Sequence, residues 1–247
     1  MKRKYKLLIL ASSIVVVLLV TGVLLVPRSI RNFFYPVAPQ MPPEVSQNIG
    51  EILTKLEGSM QNKAPHILAE LKQGLSDMEI NALENKSGIR LPDDVRALYR
   101  WHNGSATRNP LNCGPIPGHR FVPLDEALSA NNIISNQASQ ATGAQRAAFE
   151  IFAGHTKSWI PLFDDGAGDG YFFDPKRKSS EGAVFYHFAE TASYIFYPSV
   201  KNLMAGTVKC YEQDAFSWKT NGGVSSLTED FERSQKIWQE FGSSNPQ

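Results

Sequence analysis

Residues 159–174, Trp-Ile-Pro-Leu-Phe-Asp-Asp-Gly-Ala-Gly-Asp-Gly-Tyr-Phe-Phe-Asp, indicate the fold class of this chain most directly. Two apolar runs, 159–163 and 171–173, flank seven residues that are all Asp, Gly or Ala. A third run with aromatic character follows at 183–188. Strand-forming runs joined by short turns rich in Gly and Asp are typical of antiparallel pairing. The sequence therefore predicts an antiparallel meander.

Helices are predicted before and after this sheet. Apolar residues at helical spacing mark one helix from Val45 to Met60 and continue the pattern over 67–75. Ser76 and Glu79 have the spacing of a capping box that opens a helix ending near Gly88. The other predicted elements are a helix that Pro92 begins and Asn103-Gly104 closes, a weak polar helix over 125–136, a strand over 150–153, a helix from Pro198 to Glu212 and a last amphipathic helix from Leu227 to Phe241. Helices on both sides of an antiparallel sheet indicate an α+β fold.

An apolar segment precedes this domain. Between Leu7 and Val26 the chain carries no charge, and about 20 apolar residues suffice to cross a bilayer as a helix. The sequence predicts a transmembrane helix over 7–26. A cleaved signal peptide is the alternative, but its apolar region is usually about 7–15 residues long and ends at a small-x-small site. This run is longer and ends in Leu24-Leu25-Val26-Pro27.

Charges beside the span predict its orientation. Four basic residues lie in the tail 1–6 and two follow the span closely (Lys2, Arg3, Lys4 and Lys6; Arg28 and Arg31). The positive-inside rule places the N-terminus in the cytoplasm and the following chain on the extracytoplasmic side. We therefore expect a single-pass membrane protein with a Pro-rich spacer over 27–43 and an α+β domain over 44–247.

The charge of the soluble part argues against nucleic acid as a partner. Beyond residue 36 the chain keeps 19 Lys and Arg against 24 Asp and Glu, a formal charge of −5. A mildly acidic domain without a basic stripe is a poor nucleic-acid binder. Solubility alone accounts for this charge. The two cysteines, Cys113 and Cys210, are far apart in sequence, and a disulfide between them would require an oxidising compartment and Cα atoms less than about 7 Å apart.

The acidic loop between the first two predicted strands is a candidate cation site. If Asp165 is position one of a calcium loop, position three is Ala167 and position twelve is Lys176, where a bidentate Glu is required. The loop also fails as a phosphate loop, because a strand follows it instead of a helix. Gly and Asp serve a strand connection well. We therefore predict a turn and expect no cofactor.

No catalytic constellation emerges from the sequence. The five histidines do not have the spacing of zinc ligands, and no G-x-S-x-G motif is present. We therefore expect a binding protein and not an enzyme. Aromatic and acidic side chains around the predicted hairpin form a candidate partner-binding surface, which comprises Trp159, Asp164, Asp165, Asp169, Tyr171 and Asp174.

Several segments, in this order, resemble the SUKH superfamily, which includes fungal cell-wall assembly regulators and many bacterial immunity proteins. The matching residues are Ile80-x-x-Leu83-Glu84, Gly88-Ile89-x-Leu91-Pro92-Asp93-Asp94, Leu98-Tyr99 to Asn103-Gly104, Trp159-Ile160-Pro161-Leu162, Asp165-Gly166-x-Gly168-Asp169, Phe172-Phe173-Asp174-Pro175, Tyr211-Glu212 and Ala215-Phe216. The resemblance covers about residues 68–241. It implies a twisted antiparallel sheet surrounded by helices, and a binding module without catalytic residues.

Three functions follow as hypotheses. The first is a membrane-anchored module that binds a protein partner, most concretely a cognate toxin that it neutralises at the cell envelope. The second is a scaffold or regulator in cell-wall or envelope assembly, with an envelope protein as partner. The third is a ligand-binding, metal-binding or hydrolase domain that uses the loop Asp164–Asp174.

Overall fold

The computed structural model describes residues 42–107, 113–130, 159–175, 183–187, 194–221 and 223–244. The helices are α1 Ile49–Lys63, α2 Pro65–Ala69, α3 Asp77–Ser87, α4 Asp93–Trp101, α5 Val200–Glu212 and α6 Phe231–Phe241, and residues 124–130 are also helical. The strands are β1 Leu71–Gln73, β2 His102–Ser105, β3 Arg120–Phe121, β4 Ile160–Asp164, β5 Gly170–Phe173, β6 Val184–His187, β7 Tyr194–Tyr197, β8 Phe216–Asn221, β9 Val224–Glu229 and β10 Ser243–Ser244. This α+β architecture confirms the predicted fold class.

The main sheet is an antiparallel meander. Its described strands lie in the order β10-β7-β6-β5-β4-β3, and each neighbouring pair is antiparallel. Ile160 pairs with Phe173 and Asp164 with Gly170, so the two strands of the predicted hairpin pair as expected, with a register shift between Pro161 and Phe163. The sheet is wider than predicted, since β3, β7 and β10 were not expected as strands.

Helix α1 is part of the core. Its apolar residues Ile52, Leu56 and Met60 are at most 1% exposed, and the helix packs against α5. Burial of one such side chain stabilises a fold by about 1.5–3 kcal/mol. The helix that follows the spacer therefore belongs to the folded domain.

The start and the end of α3 agree with the prediction from its capping residues. The Ser76 hydroxyl accepts from the Glu79 backbone N–H, and the Glu79 carboxylate accepts from the Ser76 N–H at 2.8 Å, which completes the capping box. At the other end, Gly88 adopts a left-handed φ of 74°. The buried carboxylate of Glu84 then accepts from the Leu91 N–H at 2.9 Å and ties α3 to the start of α4.

Helix α4 is shorter than predicted at both ends. It begins at Asp93, so Pro92 is its N-cap and does not occupy the first helical position. It ends at Trp101, because His102 is already extended. Gly104, expected to close the helix, has φ of 77° but lies within β2.

Two other helix predictions were wrong because strand pairing replaces helix. Residues 71–73, expected to continue a helix, form β1 and pair with β2. The last helix was expected from Leu227 but begins at Phe231, since Val224–Glu229 forms the hairpin strand β9. The Asp230 carboxylate caps α6 by accepting from Arg233 N–H.

Asn202 joins the first described residues to the end of α6. This buried side chain accepts from Val45 N–H at 3.1 Å and donates to the carbonyls of Pro43 at 3.1 Å and Phe241 at 3.3 Å. All its hydrogen-bonding groups are thereby used. The chain is fixed to the domain from Pro43 onwards.

Several predictions lie outside the described residues. These are the basic tail 1–6, the transmembrane helix 7–26, most of the spacer 27–43 and the strand 150–153. Among the described helices, none has the length and hydropathy needed to span a membrane. Cys113 and Cys210 are both buried and are not joined by a disulfide.

Candidate functional site

The structure separates the two aromatic residues of the predicted binding surface. Trp159 stacks on Phe185 with ring centroids 4.9 Å apart and belongs to a small cluster on one face of the sheet. Tyr171 packs in the main core, 4.6 Å from Tyr186. Both residues are buried, at 5% and 6% exposure. Because they lie on opposite faces of the sheet, they do not share one binding surface.

Asp164 is held in an ion pair within the fold. Its carboxylate accepts from Nε and Nη2 of Arg120, both at 2.8 Å. The same guanidinium donates to Glu126, and these two carboxylates raise the pKa of Arg120. The Asp164 carboxylate therefore stabilises the pairing of β3 with β4.

The acidic loop is a turn closed by its own side chain. One oxygen of Asp165 accepts from the backbone N–H groups of Ala167, Gly168 and Asp169 at 2.8–3.0 Å. Gly166 and Gly168 have φ of 78° and 120°. This arrangement agrees with the predicted turn. Across the described ranges, no group of three or more His, Cys, Asp or Glu side chains could hold a metal ion.

Asp169 and Asp174 flank β5 and are half-buried. Asp169 lies at the end of the turn, and its carbonyl accepts from Asp165 N–H at 3.1 Å. Asp174 follows the last residue of the strand. A role for these acids in partner binding stays a prediction.

A cleft between the main sheet, the end of β9 and α6 is a better candidate site. Its volume is about 250 Å³. The side chains that give it chemical character are His119, Tyr171, Tyr186, Tyr197, Glu229 and Trp238. At its rim, Phe231 is 65% exposed, which is unusual for a large apolar residue.

His119 and Tyr186 form one wall of the cleft through a directed pair of hydrogen bonds. His119 Nδ1 lies 2.8 Å from the carbonyl of Pro117, which can only accept, so Nδ1 carries the proton. Nε2 then accepts from the Tyr186 hydroxyl at 3.2 Å. Burial lowers the pKa of His119, so the ring is neutral near pH 7.

Tyr171, Tyr197 and Trp238 form the rest of the aromatic lining. The Tyr171 and Tyr197 rings lie 6.0 Å apart at 49°, and the Tyr197 and Trp238 rings meet at 80° with centroids 5.7 Å apart. Gly206 of α5 allows this position of Trp238, since a Cβ on Gly206 would lie 2.5 Å from the indole Cζ3. The close approach of α5 and α6 thus positions one wall of the cleft.

The cleft is suited to binding and poorly suited to nucleophilic or acid–base catalysis. Burial raises the pKa values of Tyr171, Tyr186 and Tyr197, so all three phenols stay protonated. Catalytic acids and bases work best with a pKa near the operating pH. Neutral phenols and a neutral imidazole instead offer ring faces and hydrogen bonds to an incoming group.

Comparison with known proteins identifies the family. The model of the SMI1 / KNR4 family (SUKH-1) matches residues 74–206, just over half of the chain. The chain belongs to the SMI1/KNR4 family. This confirms the resemblance drawn from the sequence motifs. Members of the SUKH-1 family are generally binding modules without catalytic residues.

Curated relatives match a shorter part of this SUKH-1 chain. F-box only protein 3 of Homo sapiens and that of Bos taurus are each 37% identical to it over 49 residues. The matched part is 20% of this chain and 10% of the length of either relative. The likeness is therefore restricted to a small part of each protein.

Sequence reasoning found only part of the SUKH-1 cleft. Tyr171 and Tyr186 were among the aromatics expected near the sheet, whereas His119, Tyr197 and Trp238 were not connected with a site. These three come from a loop, an unpredicted strand and a helix. No local pattern links segments so distant in the chain. The aromatic enrichment of β5 and β6 was the available signal.

Proposed function

We propose that this chain is a membrane-held protein-binding module that resembles the SUKH immunity proteins and neutralises a toxin at the cell envelope. Family membership supports a binding role. The aromatic cleft is the observation that carries the proposal, because it is lined mainly by aromatic side chains that continue from the core of the domain.

The aromatic residues around the cleft have the character of an interface. Tyr186 and Trp238 are partly exposed, and Phe231 is largely exposed beside them. Tyr, Trp and Phe are enriched at protein interfaces because they bury much area at little cost in side-chain entropy. The partner is a protein, namely a cognate toxin or an envelope protein. Nucleic acid does not suit an acidic domain.

The proposed location rests on the sequence. The apolar segment 7–26 is long enough to cross a bilayer, and the basic tail 1–6 favours a cytoplasmic N-terminus. The domain then works on the extracytoplasmic side. A tether keeps it near the membrane, which suits a partner that acts or arrives there.

Cross-linking in native membranes tests this function. The full-length chain with an affinity tag is cross-linked, solubilised and captured, and co-captured proteins are identified by mass spectrometry. An untagged strain processed in parallel is the control. A strain in which the gene is deleted is exposed to the candidate toxin, and its survival is compared with that of the parent strain. This comparison tests the protection that the proposal requires.

The two measurements give separate outcomes. A single dominant toxin-like protein, together with sensitivity of the deletion strain, supports the proposal. Capture of several wall-synthesis proteins with unchanged toxin sensitivity would move the assignment to a scaffold in envelope assembly. Capture of nothing above the control contradicts both functions.

A further inference from the structure

The rings that line the cleft meet nearly at right angles. Tyr171 and Tyr186 cross at 67° with centroids 4.6 Å apart. Tyr197 and Trp238 cross at 80°. Rings at such angles form the walls of a box and present both faces and edges to the space between them. The face of an aromatic ring carries negative charge density, which attracts a cation placed over it.

Carboxylates reinforce this negative potential. Glu229 lines the cleft and is exposed at its rim. Asp165 and Asp169 lie close enough to Tyr186 to add to the effect of burial on its pKa. Glu229 and Asp165 act in the same way on His119, where they oppose the larger effect of burial. The acidic turn at β5 therefore contributes charge to the cleft, besides closing the hairpin.

Within the part of the chain that the structure describes, no positive charge lines the cleft to balance these acids. Its described lining includes neither Lys nor Arg, and His119 is neutral because burial lowers its pKa. Arg233, on the same helix as Trp238, donates instead to the carbonyl of Gln213 at 2.9 Å. The ring faces and the carboxylate would repel an anion, whereas both would attract a cation.

We propose that the cleft receives one basic side chain, lysine or arginine, from the protein partner. The volume of about 250 Å³ is below the roughly 300–1,000 Å³ of pockets that enclose drug-sized ligands, and it suits a single long side chain. The methylene stem would pack against the rings, and the charged head would lie near Glu229. This inference rests on the proposed function, because it takes the occupant to be part of a protein.

Fluorine NMR of the full-length chain in detergent micelles tests the assignment. The chain has four tryptophans, and labelling with 5-fluorotryptophan gives one signal for each. The signal of Trp238 is identified by its loss in Trp238→Phe. The probes are Nα-acetyl-lysine methylamide, its uncharged analogue with norleucine, its acidic analogue with glutamate, and phosphocholine.

The lysine probe is expected to shift the Trp238 signal saturably, and the norleucine and glutamate probes are expected to leave it in place. Glu229→Gln should weaken lysine binding about three- to tenfold, and 0.5 M salt should weaken it further. Tyr186→Leu should weaken it about tenfold, since a desolvated cation–π contact is lost. Tyr186→Phe, which keeps the ring, should bind within about twofold of the unmodified chain.

Glu232→Gln is the matched control for Glu229→Gln, since Glu232 is an exposed acid on α6 that does not line the cleft. Unchanged lysine affinity in Glu229→Gln would overturn the proposal even if Tyr186→Leu fails to fold. Equal binding of the norleucine probe, or saturable binding of the glutamate probe, would also overturn it. Preferential binding of phosphocholine would reassign the cleft to a lipid headgroup.

The proposed function and this inference fail separately. If cross-linking captures a toxin-like partner whose capture is unaffected by Glu229→Gln and Tyr186→Leu, the cleft assignment falls and the function stands. If nothing is captured but the lysine probe binds as expected, the protein-neutralising function falls and the cation-binding cleft stands.

Discussion

Arg120 and Asp164 are directly opposite one another in the β3–β4 pairing and are also joined by two hydrogen bonds of 2.8 Å between their side chains. The backbone register thus places the guanidinium and the carboxylate together. The Arg120 side chain is 10% exposed and that of Asp164 is 19% exposed. Charges so far removed from water depend on each other, because neither can be rehydrated without opening the sheet edge.

Replacing Arg120 should therefore destabilise the fold strongly. In Arg120→Leu, the carboxylates of Asp164 and Glu126 lose their shared partner in a poorly hydrated site. The free energy of unfolding should fall by about 3 kcal/mol, as measured by urea denaturation. Arg90→Ala is the control, since the Arg90 side chain is 71% exposed beside Glu84 and its loss should cost at most about 1 kcal/mol. Similar losses in both variants would contradict this account.

The turn at Asp165 should depend on its side-chain oxygen and not on a bound cation. Asp165→Ala removes the acceptor of three backbone N–H groups and should lower stability by about 1–2 kcal/mol. Asp165→Asn keeps one acceptor oxygen and should lose less than about 1 kcal/mol. Thermal unfolding with and without calcium provides the measurement. A clear rise in the melting temperature with calcium, absent in Asp165→Asn, would refute the turn interpretation.

The contact of Gly206 with Trp238 should make Gly206 and Gly58, which both lie in helices, respond in opposite directions to replacement by alanine. In Gly206→Ala, the new methyl collides with the indole, and overpacking of this kind costs about 1–3 kcal/mol. Gly58 in α1 has no atom within 4 Å of its Cβ position, so Gly58→Ala should stabilise the protein by about 0.5–1 kcal/mol through helix propensity. Chemical denaturation of both variants measures this. A stabilising Gly206→Ala would show that α5 and α6 are not closely packed.

Acid should weaken the fold through two half-buried histidines, His119 and His187. Burial lowers the pKa values of His119 and His187 below their ordinary value, so the folded state binds fewer protons than the unfolded state below about pH 6.5. The free energy of unfolding should therefore fall as the pH decreases from about 7.5 to 5.5. His119→Gln should flatten this dependence, and His66→Gln, at an exposed position, should not. Equal slopes in the three proteins would contradict the expectation.

Local chemistry explains which parts of the fold the sequence could predict. The Ser76–Glu79 capping box and the Asp165 turn each lie within five residues, so spacing alone identifies them. The end of strand β9, residues 227–229, was predicted as the start of a helix, because the strand is defined by its pairing with β8 across a turn. When the partner strand has not been recognised, the spacing of apolar residues does not distinguish a short strand from the start of a helix.

The candidate site was only partly predictable for a related reason. The hydrogen bond between His119 and Tyr186 spans 67 residues, and the position of Trp238 depends on a glycine in another helix. These contacts depend on how whole helices and strands pack together. They therefore produce no periodic pattern in the sequence. The sequence shows Asp164 and Asp165 as part of an acidic loop. It does not show that Arg120 pairs with Asp164, because the two residues are 44 positions apart.

Because Asn202 binds Pro43 and Val45, a linker from the domain to a membrane-spanning segment would end at residue 42. If the segment 7–26 spans the membrane as its composition predicts, only residues 27–42 remain to separate the fold from the lipid surface. Sixteen residues reach at most about 55 Å when fully extended. The cleft would then sample a thin layer above the bilayer, where the same number of molecules is far more concentrated than in free solution. A modest intrinsic affinity would suffice to intercept a partner that must cross this layer.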